Sequence, residues 1–221
     1  MTGRMLRFLP IALALGLSGC GSGSAETTHV RVYFLRDGKV GPVARAVPAA
    51  DPRAGALAAL RAGPTAEERA IGLTSLVPPG LANEWIGATR PGLAQVVYTL
   101  TQFPGSPTAL GRTRADLEDL TPLTLVESPL PFATVRSPLR ATGTANTFEA
   151  TFQYELVGPG GDVVAQHFVT ATSGNGQRGT FDFTAPFRID RSGPGRLVVF
   201  EIDAANGRRT HIVEIPLTLE P

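Results

Sequence analysis

The chain is short of cysteine, of net charge and of apolar runs long enough to cross a membrane, and each shortage closes off a class of protein. One cysteine in 221 residues excludes an internal disulfide, so the folded chain must survive oxidising surroundings on core packing alone. Lys and Arg total 20 against 19 Asp and Glu, a formal charge of +1. That balance lacks the basic excess that phosphate backbones demand, and nucleic acid is not expected as a partner. The three histidines, His29, His167 and His211, have no close spacing of the kind zinc motifs use, so no metal is assigned. No Gly-x-Ser-x-Gly turn occurs, and Ser173-Gly174-Asn175-Gly176 reads as a hairpin loop rather than a nucleophile. No catalytic residue and no cofactor is therefore expected.

What is plentiful is turn and core material. Gly at 25 and Pro at 19 imply many turns and short strands, and 43% hydrophobic residues suffice for packed cores rather than disorder. At the amino end, Arg4 and Arg7 precede an apolar run from Phe8 to Leu17, closed by the small residues Ser18 and Gly19. This is the layout of an export signal, and its apolar part falls short of the roughly 20 residues that a spanning helix needs. Leu17-Ser18-Gly19-Cys20 resembles the bacterial lipobox. The resemblance implies cleavage between Gly19 and Cys20 and a lipid, palmitate among its acyl chains, on Cys20. Residues 1–19 are thus expected as a cleaved lipoprotein signal peptide. Residues 20–28, with Gly21-Ser22-Gly23-Ser24, are expected as a flexible lipidated tether. Losing Arg4 and Arg7 leaves the mature chain within one charge of neutral.

Beyond the tether the hydrophobic period changes twice. Val30 to Phe34, the turn pair Asp37-Gly38, and Val40 to Val47 predict two paired strands. Asp51-Pro52 then opens a helix whose Ala56, Leu57 and Leu60 share a face, and Gly63-Pro64 stops it. Thr65 and Glu68 make a capping box. Leu93, Val96, Val97 and Leu100, extended by Phe103, fall at helical spacing. Residues 106–122 read as a linker. From there the period is two: Phe148, Ala150, Phe152, Tyr154 and Leu156 alternate with polar neighbours. Further strands are expected over 123–127, 139–145, 163–172, 179–187, 196–204 and 209–219. About seven strands in a hundred residues argue for a β-sandwich over 123–221, with Val213, Ile215, Leu217 and Leu219 facing its core.

The hairpin followed by Leu60-Arg61-Ala62-Gly63-Pro64-Thr65, the turn Leu76-Val77-Pro78-Pro79-Gly80 and the helix ending Gln102-Phe103-Pro104-Gly105 resemble the GerMN domain of bacterial sporulation and germination lipoproteins, over residues 29–105. Where that family has a further hairpin before the later helix, only Leu81 to Pro91 stands here, so the unit reads as a shortened α+β copy. Val126-Glu127-Ser128-Pro129-Leu130-Pro131, Val135-Arg136-Ser137-Pro138 and Gly143 to Ala150 resemble the immunoglobulin-like domain that commonly follows GerMN. The expected fold is mainly β: a carboxy-terminal immunoglobulin-like sandwich of about seven strands, preceded by the truncated α+β unit and the signal peptide.

Candidate binding residues are Glu149, Gln153 and Trp85. Gln153 and Glu149 stand on the solvent side of the clearest strand. Glu149 is weighed either as part of a calcium-binding carboxylate group with Asp162, Asp182 and Glu201 or, preferably, as a strand acid paired with Arg136 or Arg140. Trp85 is weighed as a partner anchor or as cover for the edge of a small core. Arg208-Arg209 reads as a solvated hairpin end. The function expected from the resemblance is a non-enzymatic, lipid-anchored extracytoplasmic binding or assembly module linked to sporulation, germination or envelope signalling. Its partners would be the membrane, through Cys20, and an envelope protein or cell-wall polymer. The alternative is an accessory subunit or weak hydrolase acting on the cell wall.

Overall fold

A computed structural model describes residues 26–77, 89–105 and 108–221. Gly19, Cys20 and Trp85, and with them the signal peptide and most of the tether, lie outside the described residues.

The first unit opens on strands β1 (Thr27–Arg36) and β2 (Lys39–Pro48), paired antiparallel from Thr27↔Pro48 to Arg36↔Lys39. Asp37 and Gly38 both take positive φ, 52° and 75°, the left-handed pair whose twist matches a two-residue hairpin. Pairing already begins at Thr27, so Thr27 and Thr28, expected at the end of the tether, lie inside β1 together with His29. Helix α1 (Pro52–Ala62) starts where Asp51 accepts a hydrogen bond from the Ala54 amide, and it buries Ala56 and Leu60. Helix α2 (Ala66–Ala70) carries both bonds of the capping box between Thr65 and Glu68. Glu68 also holds Arg45 of β2 through two 2.6 Å contacts.

Helix α3 (Arg90–Leu100) begins three residues before the expected start. The Thr89 hydroxyl caps the Gly92 amide, and Pro91 fits the first turn, where a missing N–H costs nothing. Within the described residues the first sheet has two strands, and side chains stand where a third strand would pair with β1. Gln102 accepts from the Arg31 amide and donates to its carbonyl. Thr99 accepts from the Tyr33 amide, and Gln95 donates to the Tyr33 carbonyl. Leu35 exchanges two main-chain bonds with Thr74. An exposed edge is thereby closed by Gln95 and Thr99 on one face of α3 and by Gln102 in the turn after it.

The second unit is a sandwich of two sheets. One has the order β4-β10-β9-β6-β7, built from β4 (Thr134–Arg136), β6 (Thr151–Val157), β7 (Val163–Thr170), β9 (Gly193–Ile202) and β10 (Arg209–Glu220). The other has the order β3-β5-β8, from β3 (Thr124–Ser128), β5 (Leu139–Ala145) and β8 (Gly179–Ala185). Only β4 and β10 run parallel. Phe152, Leu156, Leu197, Leu217 and Leu219 meet Leu139 and Phe181 in the core, where the Phe152 and Phe181 rings touch edge to face at 4.9 Å. Ile215, Leu217 and Leu219 are buried and Val213 packs against the same cluster, as the alternation requires. The fold is the expected one, mainly β with an immunoglobulin-like sandwich at the carboxyl end.

One stretch of the alternation does not hold. Phe148 and Ala150 were expected on the core face, but residues 148–150 form a 3-10 turn and Phe148 is 70% exposed. Glu149 and Ala150 adopt positive φ, and the Thr147 carbonyl accepts the amides of both Ala150 and Asn175. The loop after β7 thus holds the chain in a turn, and strand β6 starts only at Thr151.

The two units share strand β3. Its alternation sends Leu125 into the core of the first unit and Val126 into the sandwich core. The connecting segment is packed as well: Ala109 and Leu117 belong to the first core. Glu127, next along β3, points back to the first unit and meets Arg114 at 2.8 Å. The Arg114 guanidinium lies over the rings of Tyr98 and Tyr33, 4.6 and 5.3 Å from their centroids, and donates to the Tyr98 carbonyl and the Thr101 hydroxyl. The Tyr33 hydroxyl donates to Glu127. Burial pushes the Glu127 carboxyl up, but Arg114 and the Tyr33 hydroxyl outweigh it and hold the group below the usual carboxylate range. Burial, with the Glu127 charge, pushes the Tyr33 hydroxyl well above its ordinary range.

Two measurements follow. Phe152→Ala should destabilise the protein by about 3–5 kcal/mol, while Gln153→Ala, on the opposite face, should stay within about 0.5 kcal/mol; denaturant melts that agree for the two would refute the register of β6. Glu127→Ala takes the carboxylate from a half-buried guanidinium and should cost about 1.5–3 kcal/mol, part of it recovered by Arg114→Met with Glu127→Leu. Because the folded Glu127 pKa is depressed, its contribution is complete above the unfolded value of about 4.3 and is lost as pH falls through the folded one. Glu127→Gln should therefore flatten the fall in Tm on acidification, and an unchanged slope would show that this carboxylate is not linked to folding.

Candidate interaction cleft

Between the β1–β2 hairpin tip and β10 lies a cleft of about 870 Å³. Its shape follows from irregularity in β10. The register against β9 shifts between Thr210 and Val213, His211 takes φ 51°, and the extra residue leaves Ile212 half exposed on the cleft wall. On its other side β10 has a neighbouring strand only at residues 218–220. Upstream of that pairing, the Arg36 guanidinium from the hairpin donates to the Glu214 carbonyl at 3.1 Å. The floor is apolar, with Val40, Pro42, Leu73 and Val213 among its residues.

The rim carries both signs of charge. Arg36 and Lys39 donate to main-chain carbonyls, of Glu214 and Asp119, while Arg90 pairs with the Asp119 carboxylate. The Arg90 contact, with its charge, holds Asp119 below its ordinary range. Asp116 is lowered by the amide and then the hydroxyl of Thr113. Glu118 anchors the far wall. Burial raises its pKa, but the Arg178 and Asn146 side chains more than reverse this. Arg178 also donates to the carbonyls of Pro122 and Leu123, tying the connector to the sandwich. An apolar floor with opposed charges at fixed positions is equipped to recognise a ligand with apolar and polar groups.

The residues anticipated for binding lie elsewhere. Gln153 faces outward on β6, opposite Phe168 on one side and Phe200 on the other, in a shallower hollow of about 380 Å³. Glu149 sits in the turn before β6, where its amide donates to the Asn175 side chain, and Trp85 lies outside the described residues. The arginines expected to pair with Glu149 are engaged otherwise: Arg136 with Glu220 and Arg140 with Asp182. Glu201 stands 3.1 Å from His211 Nδ1 and accepts from the Phe148 amide. Arg209 is no free hairpin end, since it binds Glu155 through two contacts and stacks on Phe200 at 4.3 Å. Among the described residues no three His, Cys, Asp or Glu side chains are grouped to hold a metal, and no helix is long and apolar enough to cross a membrane.

The cleft itself was not visible in the sequence. Arg36 and Lys39 flank an ordinary hairpin turn, and nothing local marks residues 210–213 as bulged. The helix stripe at Gln95, Thr99 and Gln102 did carry a signal, polar residues at helical spacing beside an apolar stripe.

No curated protein matches the chain significantly. Residues 124–208 match Gmad2, the immunoglobulin-like domain of bacterial spore germination, a span running from the first residue of β3 to the turn before β10. By that match, the sandwich of this chain carries a germination-type immunoglobulin-like domain.

Proposed function

We propose that this protein is a non-enzymatic, lipid-anchored extracytoplasmic binding or assembly module, serving germination, sporulation or signalling at the cell envelope, and that it takes its partner in the cleft between the two units. The observation that carries the reading is the cleft itself: its walls come from different units, and the half-buried Arg114–Glu127 contact ties those units together. A binding surface that needs no ordering on capture keeps more of its contact energy as affinity. The likeness of residues 124–208 to the germination domain supports the cellular setting. The signal-like residues Arg4 to Gly19 and the lipobox-like Leu17-Ser18-Gly19-Cys20 support the anchor. The first unit is read as a shortened GerMN-like copy on the same grounds.

Two tests separate the parts of this reading. Cys20→Ser should move the protein from the membrane pellet to the soluble fraction and abolish labelling by palmitate; retention of the processed serine variant in the pellet would refute the anchor. For the cleft, the detergent-solubilised lipidated chain serves as bait against envelope extracts. Ile212→Arg should keep the melting temperature yet lose the partner that the parent chain captures, whereas Glu149→Ala with Gln153→Ala should keep it. The reverse pattern would move the binding surface to the sheet face.

A further inference from the structure

We propose that two copies of this chain pair through strand β7, joining their five-stranded sheets into one across a twofold axis. The inference does not depend on the cleft, which lies at the opposite side of the same sheet.

Strand β7 is the outer strand of the sheet order, and no described strand lies beyond it. Its free hydrogen-bonding groups follow from parity. Phe132 and Thr218 bond across the β10 edge at Pro216 and Ala133, so even-numbered β10 residues face away from β9 and odd-numbered ones face it. In antiparallel pairs the two residues of a hydrogen-bonded pair exchange both bonds. Carried through the registers of β9 and β6, this makes Ala165, His167 and Val169 bond to β6. Val164, Gln166, Phe168 and Thr170 therefore turn their amides and carbonyls outward. The Ala171 amide bonding to the Ala150 carbonyl agrees with that parity. Of the outward amides, that of Phe168 is covered by its own neighbour, donating to His167 Nδ1 at 2.9 Å, and His167 is an exposed side chain free to turn aside.

Edges of this kind are normally protected by charge, proline or shortness. The other outer strands of the sandwich have such protection. Strand β4 has three residues, β3 is bulged and shared with the first unit, and β8 carries Asp182 paired with Arg140. Strand β7 has eight residues, Val-Val-Ala-Gln-His-Phe-Val-Thr, with no proline, acid, lysine or arginine. Phe168 is 61% and Val163 46% exposed.

The second copy is chosen as occupant on charge. A twofold axis sets each residue near its own copy, so any charge on the strand would meet its like, and like charges across strands destabilise. Strand β7 carries no acid, lysine or arginine to repel, its one titratable side chain being His167, and the nearest acid on β6, Glu155, is paired with Arg209. One antiparallel register uses every outward group: Gln166 opposite Phe168 of the second copy, Val164 opposite its Thr170, and His167 opposite its own counterpart on the axis. The two Phe168 rings then stand as diagonal neighbours on the outer face, within aromatic reach, beside the hollow lined by Gln153 and Phe200.

The test is sedimentation equilibrium of the full chain carrying Cys20→Ser, over a concentration series. A monomer–dimer equilibrium is expected. Phe168→Glu places two like charges diagonally across the axis, and Gln166→Pro removes an outward amide without touching the β6 ladder. Each should give the monomer mass at every concentration with an unchanged circular dichroism spectrum. Thr184→Glu, on the exposed face of the other sheet, should leave the dimer intact. In the same background His167→Cys should form a disulfide-linked dimer on oxidation, since opposed residues of a pair that is not hydrogen-bonded lie about 4.5 Å apart at Cα, and Val164→Cys should not. A parent chain that stays monomeric throughout, or a dimer that survives both edge variants, overturns the proposal. So does covalent dimer from Val164→Cys with none from His167→Cys. Capture of a foreign strand by the parent monomer, with no self-association, would assign the edge to a different partner and equally reject this one.

Discussion

The join between the two halves of this protein centres on one guanidinium. Arg114 comes from the connector, lies over two tyrosine rings of the first unit, and meets Glu127 on the first strand of the second. A half-buried ion pair of this kind adds little net stability, since its Coulomb attraction mainly offsets the cost of desolvating both charges. What it supplies is selectivity among arrangements: any slip of the first unit along β3 strands a charge. Hydrophobic packing alone would tolerate such a slip, because Leu125 fills its core with non-directional contacts. Apolar burial at Leu125 and Val126 therefore supplies the adhesion, and the polar contact at Glu127 supplies the register.

The remaining architecture is an exercise in closing sheet edges with few strands. A two-stranded sheet is marginal in water, and here the outward groups of β1 are taken by Gln95, Thr99 and Gln102. Gln102 both donates to and accepts from Arg31, as a neighbouring strand would, while Gln95 donates to the Tyr33 carbonyl and accepts from the Leu76 amide. The β10 edge is served more sparingly, by Arg36 on the Glu214 carbonyl. That difference shapes the cleft, because a full strand at this position would have filled the gap between hairpin and sandwich.

Local rules made much of this legible beforehand. The hairpin turn at Asp37-Gly38, the Asp51 cap and the Thr65–Glu68 capping box are each written in a few adjacent residues, and each forms. The alternation of β6 predicts Phe152, Tyr154 and Leu156 as core, and they are buried. It fails at Phe148 and Ala150, where a loop distant in sequence, through Asn175, turns the chain. Period-two reasoning carries no information about such a contact. The Arg114–Glu127 pair escaped for the same reason: thirteen residues separate partners that only tertiary folding brings together, and an arginine in a polar connector looks like any other. Glu149 was misplaced on a strand by the same alternation, and the salt partners foreseen for it belong to Glu220 and Asp182.

The position of the cleft acquires a consequence in the proposed anchored state. Strand β1 starts at Thr27, seven residues after Cys20, so a lipid on Cys20, as proposed, would tether the protein at the open end of the hairpin. The cleft lies at the other end, where Arg36 and Lys39 flank the turn. Ten residues of strand rise about 33 Å, which is more than the Debye length of about 8 Å at physiological ionic strength. If the proposed anchor holds the open end of the hairpin at the membrane, the rim charges can stand beyond the screened field of anionic headgroups, and their attraction is then left for groups that approach from the far side. The Arg114–Glu127 contact keeps the two walls of the cleft fixed with respect to each other, whichever way a flexible tether lets the folded part turn.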